Sequence, residues 1–242
     1  MNLIIDVGNS FVKLAVFQVD TLIHKEQVRI EDVVSTSKRI KAQFPAIQNA
    51  IISSVNTLSD QDMKYLFETF HLIELHSETK LPFKNLYKTP QTLGVDRLAL
   101  ISAAAKNYPD KNVLIIDAGT CVTFDFKDSE TNYLGGAISP GLRMRYQAMH
   151  NLTAKLPLLE TEYPDNFIGN TTAQSMHSGV VNGLSQEIDG VINQYKQEYL
   201  DLTVILTGGD ANFLSKQLKS SIFANSNFLL EGLNYILNFN SI

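Results

Sequence analysis

The chain has 242 residues, a formal net charge of −5, 44% hydrophobic residues and 19% charged ones. That length allows one large domain or two of ordinary size, with apolar residues enough for a normal core. An acidic balance without a Lys/Arg run speaks against a nucleic-acid partner, no apolar run approaches the roughly 18 residues of a membrane span, and a single cysteine, Cys121, excludes an internal disulfide framework and fits a reducing cytoplasm.

The N-terminus runs straight into an apolar strand with a charge at Asp6, which is no secretory leader. Leu3-Ile4-Ile5 reads as a buried strand, Asp6-Val7-Gly8-Asn9-Ser10 as a tight turn, and Phe11 to Phe17 as the returning strand. The tip of such a hairpin offers backbone N–H groups and small polar side chains to an anion. Leu22 to Ile30 extends the sheet, and Ile30 to Phe44 is compatible with a helix. Ala50 to Val55 reads as a short buried strand. Ser59 to Phe70 follows as a helix with Ser59 as N-cap, then His71 to Leu75 as a strand. Gln91 to Tyr108 carries an Ala-rich helical pattern that Pro109-Asp110 breaks.

The order then repeats. Val113 to Ile116, the turn Asp117-Ala118-Gly119-Thr120-Cys121 and Val122 to Phe126 form a second hairpin; Tyr133 to Ile138 is a third strand. Helices follow Pro140-Gly141 and run from about Thr172 to Tyr199. Val204-Ile205-Leu206 is a buried strand ending in Thr207-Gly208-Gly209-Asp210, and helices over Ala211–Leu218 and Leu229–Phe239 close the chain. Two α/β halves, residues 1–109 and 110–242, are therefore expected.

Carboxylates repel phosphate, so Asp6 and Asp117 work on a phosphate chain only through a cation or ordered water. One reading has Asp6 positioning Mg²⁺–ATP and Asp117 ligating a cation near the phosphates; the other makes both turn-capping carboxylates. Gly94-Val95-Asp96-Arg97 sets a carboxylate beside a guanidinium at a helix start, where a dipole interaction and a surface ion pair also account for them. The segment Gly135-Gly136-Ala137-Ile138-Ser139-Pro140-Gly141 implies close backbone approach to a ligand or a neighbouring strand. Gly169-Asn170-Thr171-Thr172 is an N-cap or a substrate contact. The five histidines show no metal-ligand spacing, and Cys121 reads as a small buried residue.

These motifs, together with Lys155-Leu156-Pro157 and in this order, resemble type III pantothenate kinase, a branch of the acetate and sugar kinase/Hsp70/actin superfamily. The resemblance implies two duplicated ribonuclease H-like (actin-like ATPase) domains, each a mixed central sheet flanked by helices, with an ATP cleft between them. It implies ATP-dependent phosphorylation of pantothenate, the first step toward coenzyme A. Carried over by position, Asp6, Val7, Gly8, Asn9, Ser10, Phe11, Val12 and Lys13 would form the first phosphate-binding hairpin, and Thr120 would touch ATP. Asp96 would be the general base; Tyr87, Gly94, Val95, Asp96, Arg97 and Thr172 would contact pantothenate. Asp117 would hold a monovalent cation, K⁺ or NH₄⁺, beside Mg²⁺–ATP, and the enzyme would be a cytoplasmic homodimer. Departures are modest: Ser10 stands where Thr is usual, Cys121 replaces the commoner Ala, and the segment after Asp20 is short.

Overall fold

The computed structural model describes residues 1–9 and 11–241. In chain order the elements are β1 (Asn2–Val7), β2 (Val12–Gln18), β3 (Thr21–Val28), α1 (Val33–Gln43), β4 (Asn49–Ser54), α2 (Asp60–Thr69), β5 (His71–Glu74) and β6 (Lys84–Asn85). They continue with α3 (Val95–Asn107), β7 (Asn112–Ala118), β8 (Cys121–Lys127), β9 (Asn132–Pro140), α4 (Leu142–Leu152), α5 (Thr172–His177) and α6 (Gly183–Glu198). The last are β10 (Leu202–Thr207), α7 (Ala211–Leu214), β11 (Phe223–Ala224) and α8 (Phe228–Asn240). A π-helical turn, Ser178–Asn182, joins α5 to α6.

Two compact units result. The first holds Met1–Pro109, Thr131–Tyr133 and Asn227–Ile242; the second holds Asp110–Glu130 and Leu134–Ser226. The break expected at Pro109/Asp110 is a unit boundary, but the last helix, expected with residues 110–242, groups with the first unit. The reason is packing. Leu230, Leu233, Ile236 and Leu237 of α8 are buried against Ile4, Phe17, Ile51 and Ala99.

The first sheet runs β3-β2-β1-β4-β5, with β1 antiparallel to β2 and parallel to β4. Side chains alternate across a strand, so β1 serves two layers. Leu3, Ile5 and Val7 pack with Val33 and Ile40 of α1 and Leu66 of α2. The opposite set, Asn2, Ile4 and Asp6, faces the side on which Ile4 meets Ala99 of α3 and the leucines of α8. Asn2 is buried there and donates to Asn234 (2.8 Å) and Asn238 (2.7 Å) of α8, while Asn234 donates to the carbonyl of Val19 (2.9 Å). Ser59 caps α2 as expected, accepting from the Asp62 N–H at 3.1 Å.

The second sheet runs β11-β10-β7-β8-β9-β6. Its hairpin β7/β8 is antiparallel, and β10 lies parallel to β7 on the other side, the arrangement of β1, β2 and β4 over again. Leu114, Ile116 and Ala118 pack with Val181, Leu184, Ile188 and Ile192 along the π-turn and α6.

The glycine-rich segment of β9 serves its own neighbours. A Cβ on Gly136 would fall 1.5 Å from the Phe124 carbonyl oxygen, and one on Gly141 would fall 2.1 Å from that of Gly119.

Candidate functional site

Asp6 is the last-but-one residue of β1, and its pairing partners fix its surroundings. Lys13 lies opposite it on β2 and Ser53 beside it on β4. Paired residues share a sheet face, so Lys13, Asp6 and Ser53 form a row across three strands. Lys13 Nζ stands 3.6 Å from Asp6 Oδ2. Asp6 is buried, and burial raises its carboxyl above the ordinary range; the charge of Asp96 pushes the same way, and Lys13 opposes both.

The part played by Asp96 follows from the layer arrangement. The face of β1 that carries Asp6 is the one on which α3 packs, and Asp96 stands in the first turn of α3. Its Oδ1 accepts the N–H of Arg97 at 2.8 Å. The residue before this helix is Gly94, where a Cβ would lie 2.4 Å from Asp96 Oδ1, so a bare backbone leaves room for the carboxylate. Arg97 is 5% exposed and not a surface ion pair; its guanidinium carbon lies 5.5 Å from the centre of the Tyr87 ring. The first unit thus brings together Asp6, Lys13, Asp96, Arg97 and Tyr87 as parts of one fold.

The hairpin between β1 and β2 closes by a bond from the Gly8 N–H to the Phe11 carbonyl at 3.1 Å. Val7 and Val12 are buried at its base, while Asn9 and Phe11 are exposed at its tip. Ser10 lies outside the described residues.

The second unit repeats the row. Asp117, last but one in β7, pairs with Thr123 on β8 and Thr207 on β10. The ammonium of the first row has no counterpart among these partners; they are hydroxyl oxygens. Gly208 follows with φ +96°, a conformation that favours glycine. A Cβ there would also fall 2.3 Å from the Ala118 carbonyl oxygen and 2.4 Å from Asp117 Oδ1. Carboxylate, hydroxyl and carbonyl oxygens are the donors a hard cation takes, so this donor set fits a cation at Asp117. Among the described residues no group of three or more His, Cys, Asp or Glu gathers as a metal cluster.

Thr120 is exposed at the tip of the second hairpin, and its carbonyl accepts the Gly141 N–H at 3.0 Å. Cys121 is half-buried rather than buried. Thr171 proves to be the N-cap of α5, its hydroxyl accepting from Gln174 at 3.2 Å. Its neighbour Thr172 lines an open groove with Met149, Leu156 and Asn170. Tyr87 and Gly94–Arg97 thus belong to the first unit and Thr172 to the second.

Three residues have no role in the sequence reading. Ser53 is 1% exposed and its hydroxyl has no hydrogen-bond partner among the described residues, although it stands beside Asp6. Asp210 donates its N–H to the Ala118 carbonyl (2.9 Å), and burial raises its carboxyl. Tyr133 stacks under Tyr87. The Ile52-Ser53-Ser54 strand end was a visible signal for Ser53; nothing in the residue order pairs Tyr133 with Tyr87.

The family model described as type III pantothenate kinase matches residues 2–194. A type III pantothenate kinase of Christiangramia forsetii is 50% identical over 240 residues, covering 99% of each chain. One of Flavobacterium psychrophilum is 48% identical over 241 residues, covering 97% of each. Among solved structures, a glucokinase from an Antarctic psychrotroph superposes with a TM-score of 0.54 at 11% identity, over 98% of each chain. A Campylobacter jejuni chain described as a Baf-family transcriptional activator superposes with a TM-score of 0.65 at 21% identity, also over 98% of each. At such identities the two structures show a common fold alone, that of the sugar kinases and actin-like ATPases.

Proposed function

The chain belongs to the type III pantothenate kinase family, and from that membership we propose how its own residues divide the work. The reaction is phosphorylation of pantothenate with ATP as donor, in the biosynthesis of coenzyme A. The acceptor is a primary hydroxyl, a poor nucleophile at neutral pH. Asp96 takes the hydroxyl proton as the new O–P bond forms and the bond from the γ-phosphorus to the departing ADP oxygen breaks. The observation that carries this reading is the place of Asp96 in the first turn of α3, a helix that shares a buried core with the face of β1 on which Asp6 lies, which supports a carboxylate of the first helix turn working beside the hairpin. Tyr87, Arg97, Thr172 and the backbone of Gly94 and Val95 are read as the pantothenate contacts. Backbone N–H groups of the first hairpin, Lys13 and Thr120 hold the phosphate chain. Mg²⁺, when bound, supplies charge neutralisation of the phosphates.

Asp96→Asn tests the base. It is expected to lower kcat on the order of 10²–10⁴-fold, the usual worth of a positioned general base, with ATP affinity kept. Turnover near the wild-type rate in this variant would refute the role.

Asp117 is read as the ligand of a monovalent cation, K⁺ or NH₄⁺. Wild-type activity should then rise when potassium replaces sodium, and Asp117→Asn should be slow and indifferent to the exchange. Equal rates in both salts would rule the site out. The enzyme is further read as a cytoplasmic homodimer. Light scattering should give about twice the 27.0 kDa of one chain, and a monomeric mass at working concentrations would overturn this. None of the described helices is long and apolar enough to cross a membrane.

A further inference from the structure

We propose that Tyr133 is a positioning residue for the acceptor side of the reaction. Its buried ring backs Tyr87 and, through Tyr87, fixes the guanidinium of Arg97. The inference rests on reading Tyr87 and Arg97 as pantothenate-binding residues and names what holds them in place.

Tyr87 follows β6, a strand of only two residues, which is too short to orient a side chain beyond its end. What ties this segment down is the start of β9. Lys84 and Leu86 donate their N–H groups to the carbonyls of Thr131 and Tyr133, at 3.1 and 3.0 Å. Asn85 then turns the chain by accepting the Tyr87 N–H at 3.0 Å. The rings complete the attachment. Tyr133 is 0% exposed, and the Tyr87 ring lies nearly parallel to it, 6.0 Å between centres and 19° between planes. Phe83 meets Tyr133 edge-on at 6.1 Å and 78°, on the same short segment. Both geometries are favourable for aromatic pairs. The Tyr87 ring in turn carries the Arg97 guanidinium at 5.5 Å, within cation–π range. Residues 131–133 belong to the first unit although the chain around them does not. The second half of the sequence thus lends three residues to the first unit, and one of them is the aromatic base of the stack.

The test is steady-state kinetics with pantothenate and ATP varied separately. Tyr133→Leu is expected to raise KM for pantothenate about three- to tenfold, the worth of one aromatic pair, with KM for ATP within about twofold. Tyr133→Phe, which keeps the ring, should restore the wild-type value. In a Tyr87→Leu background, Tyr133→Leu should add nothing. If Tyr87→Leu raises KM for pantothenate and Tyr133→Leu does not, the inference fails and the acceptor-side reading stands. If Tyr87→Leu itself has no effect, that reading fails and takes this one with it. Both KM values rising together, without rescue by Phe, would mean a general scaffold role and overturn the proposal. Should Tyr133→Leu not fold, Phe83→Ala loosens the same ring from its edge. A selective rise in pantothenate KM there supports the proposal, and no change refutes it.

Discussion

Asp6 is where burial and charge compete most openly. Desolvation lifts its carboxyl above the ordinary 3.8, Asp96 adds to the rise, and Lys13 only partly offsets it. For a carboxyl raised in the folded state, the unfolded chain loses its proton first as pH climbs. Between the ordinary and the raised value the folded state therefore holds more protons, and stability falls as pH rises. Above the raised value the cost of an ionised buried carboxylate is present in full; below the ordinary value it vanishes. Asp6→Asn removes that cost. The variant is expected to melt above the wild type at neutral pH, with the gap closing as pH drops below the ordinary Asp range, and to lose activity. Melting curves recorded from acid to neutral pH decide this. A gap that does not change with pH would show that ionisation of Asp6 is not its source.

At the scale of elements, the parts legible in the residue order are those that local physics dictates. An apolar run, an Asp-x-Gly turn and a second apolar run can only fold back, and both hairpins form, with Val7 opposite Val12 and Ala118 opposite Val122. What was hidden depended on partners. The two-residue strands β6 and β11 have no periodicity to read. The stretch from Thr172 to Tyr199 reads as one helix, yet it forms α5, the turn Ser178–Asn182 and α6, because an i→i+5 step leaves the apolar spacing almost intact. The site divides in the same way. Asp6 and Asp117 announce themselves through their turns, and Asp96 through its place at a helix start. That Asp6 and Asp96 lie on one side of the first sheet follows from the layer that α3 and α8 form there, and that layer is a tertiary fact. So is the approach of α8. Gly232 stands so near α3 that a Cβ would lie 1.9 Å from the Ala99 carbonyl oxygen, a fit that an apolar helical pattern does not disclose.

For the whole molecule the consequence is that neither unit is a continuous piece of chain. The first unit is completed only when residues 227–242 return to it. Leu230, Leu233, Ile236 and Leu237 are each buried there to within 1% exposure. Burying four such side chains is worth roughly 6–12 kcal/mol at about 1.5–3 kcal/mol each, as much as the whole stability of a typical domain, about 5–15 kcal/mol. Asn2 would lose the amide of Asn234 as well. Residues 1–109 alone are therefore expected to lack a cooperative thermal transition. Joining them to residues 227–242 should restore one. Asn107 already reaches Glu231 at 3.3 Å, so a Gly/Ser linker of about ten residues spans the gap. Calorimetry or far-UV circular dichroism of the two chains checks this. If residues 1–109 melt cooperatively without α8, and at the temperature of the joined chain, then α8 is dispensable to that unit and its buried leucines contribute far less than their area implies.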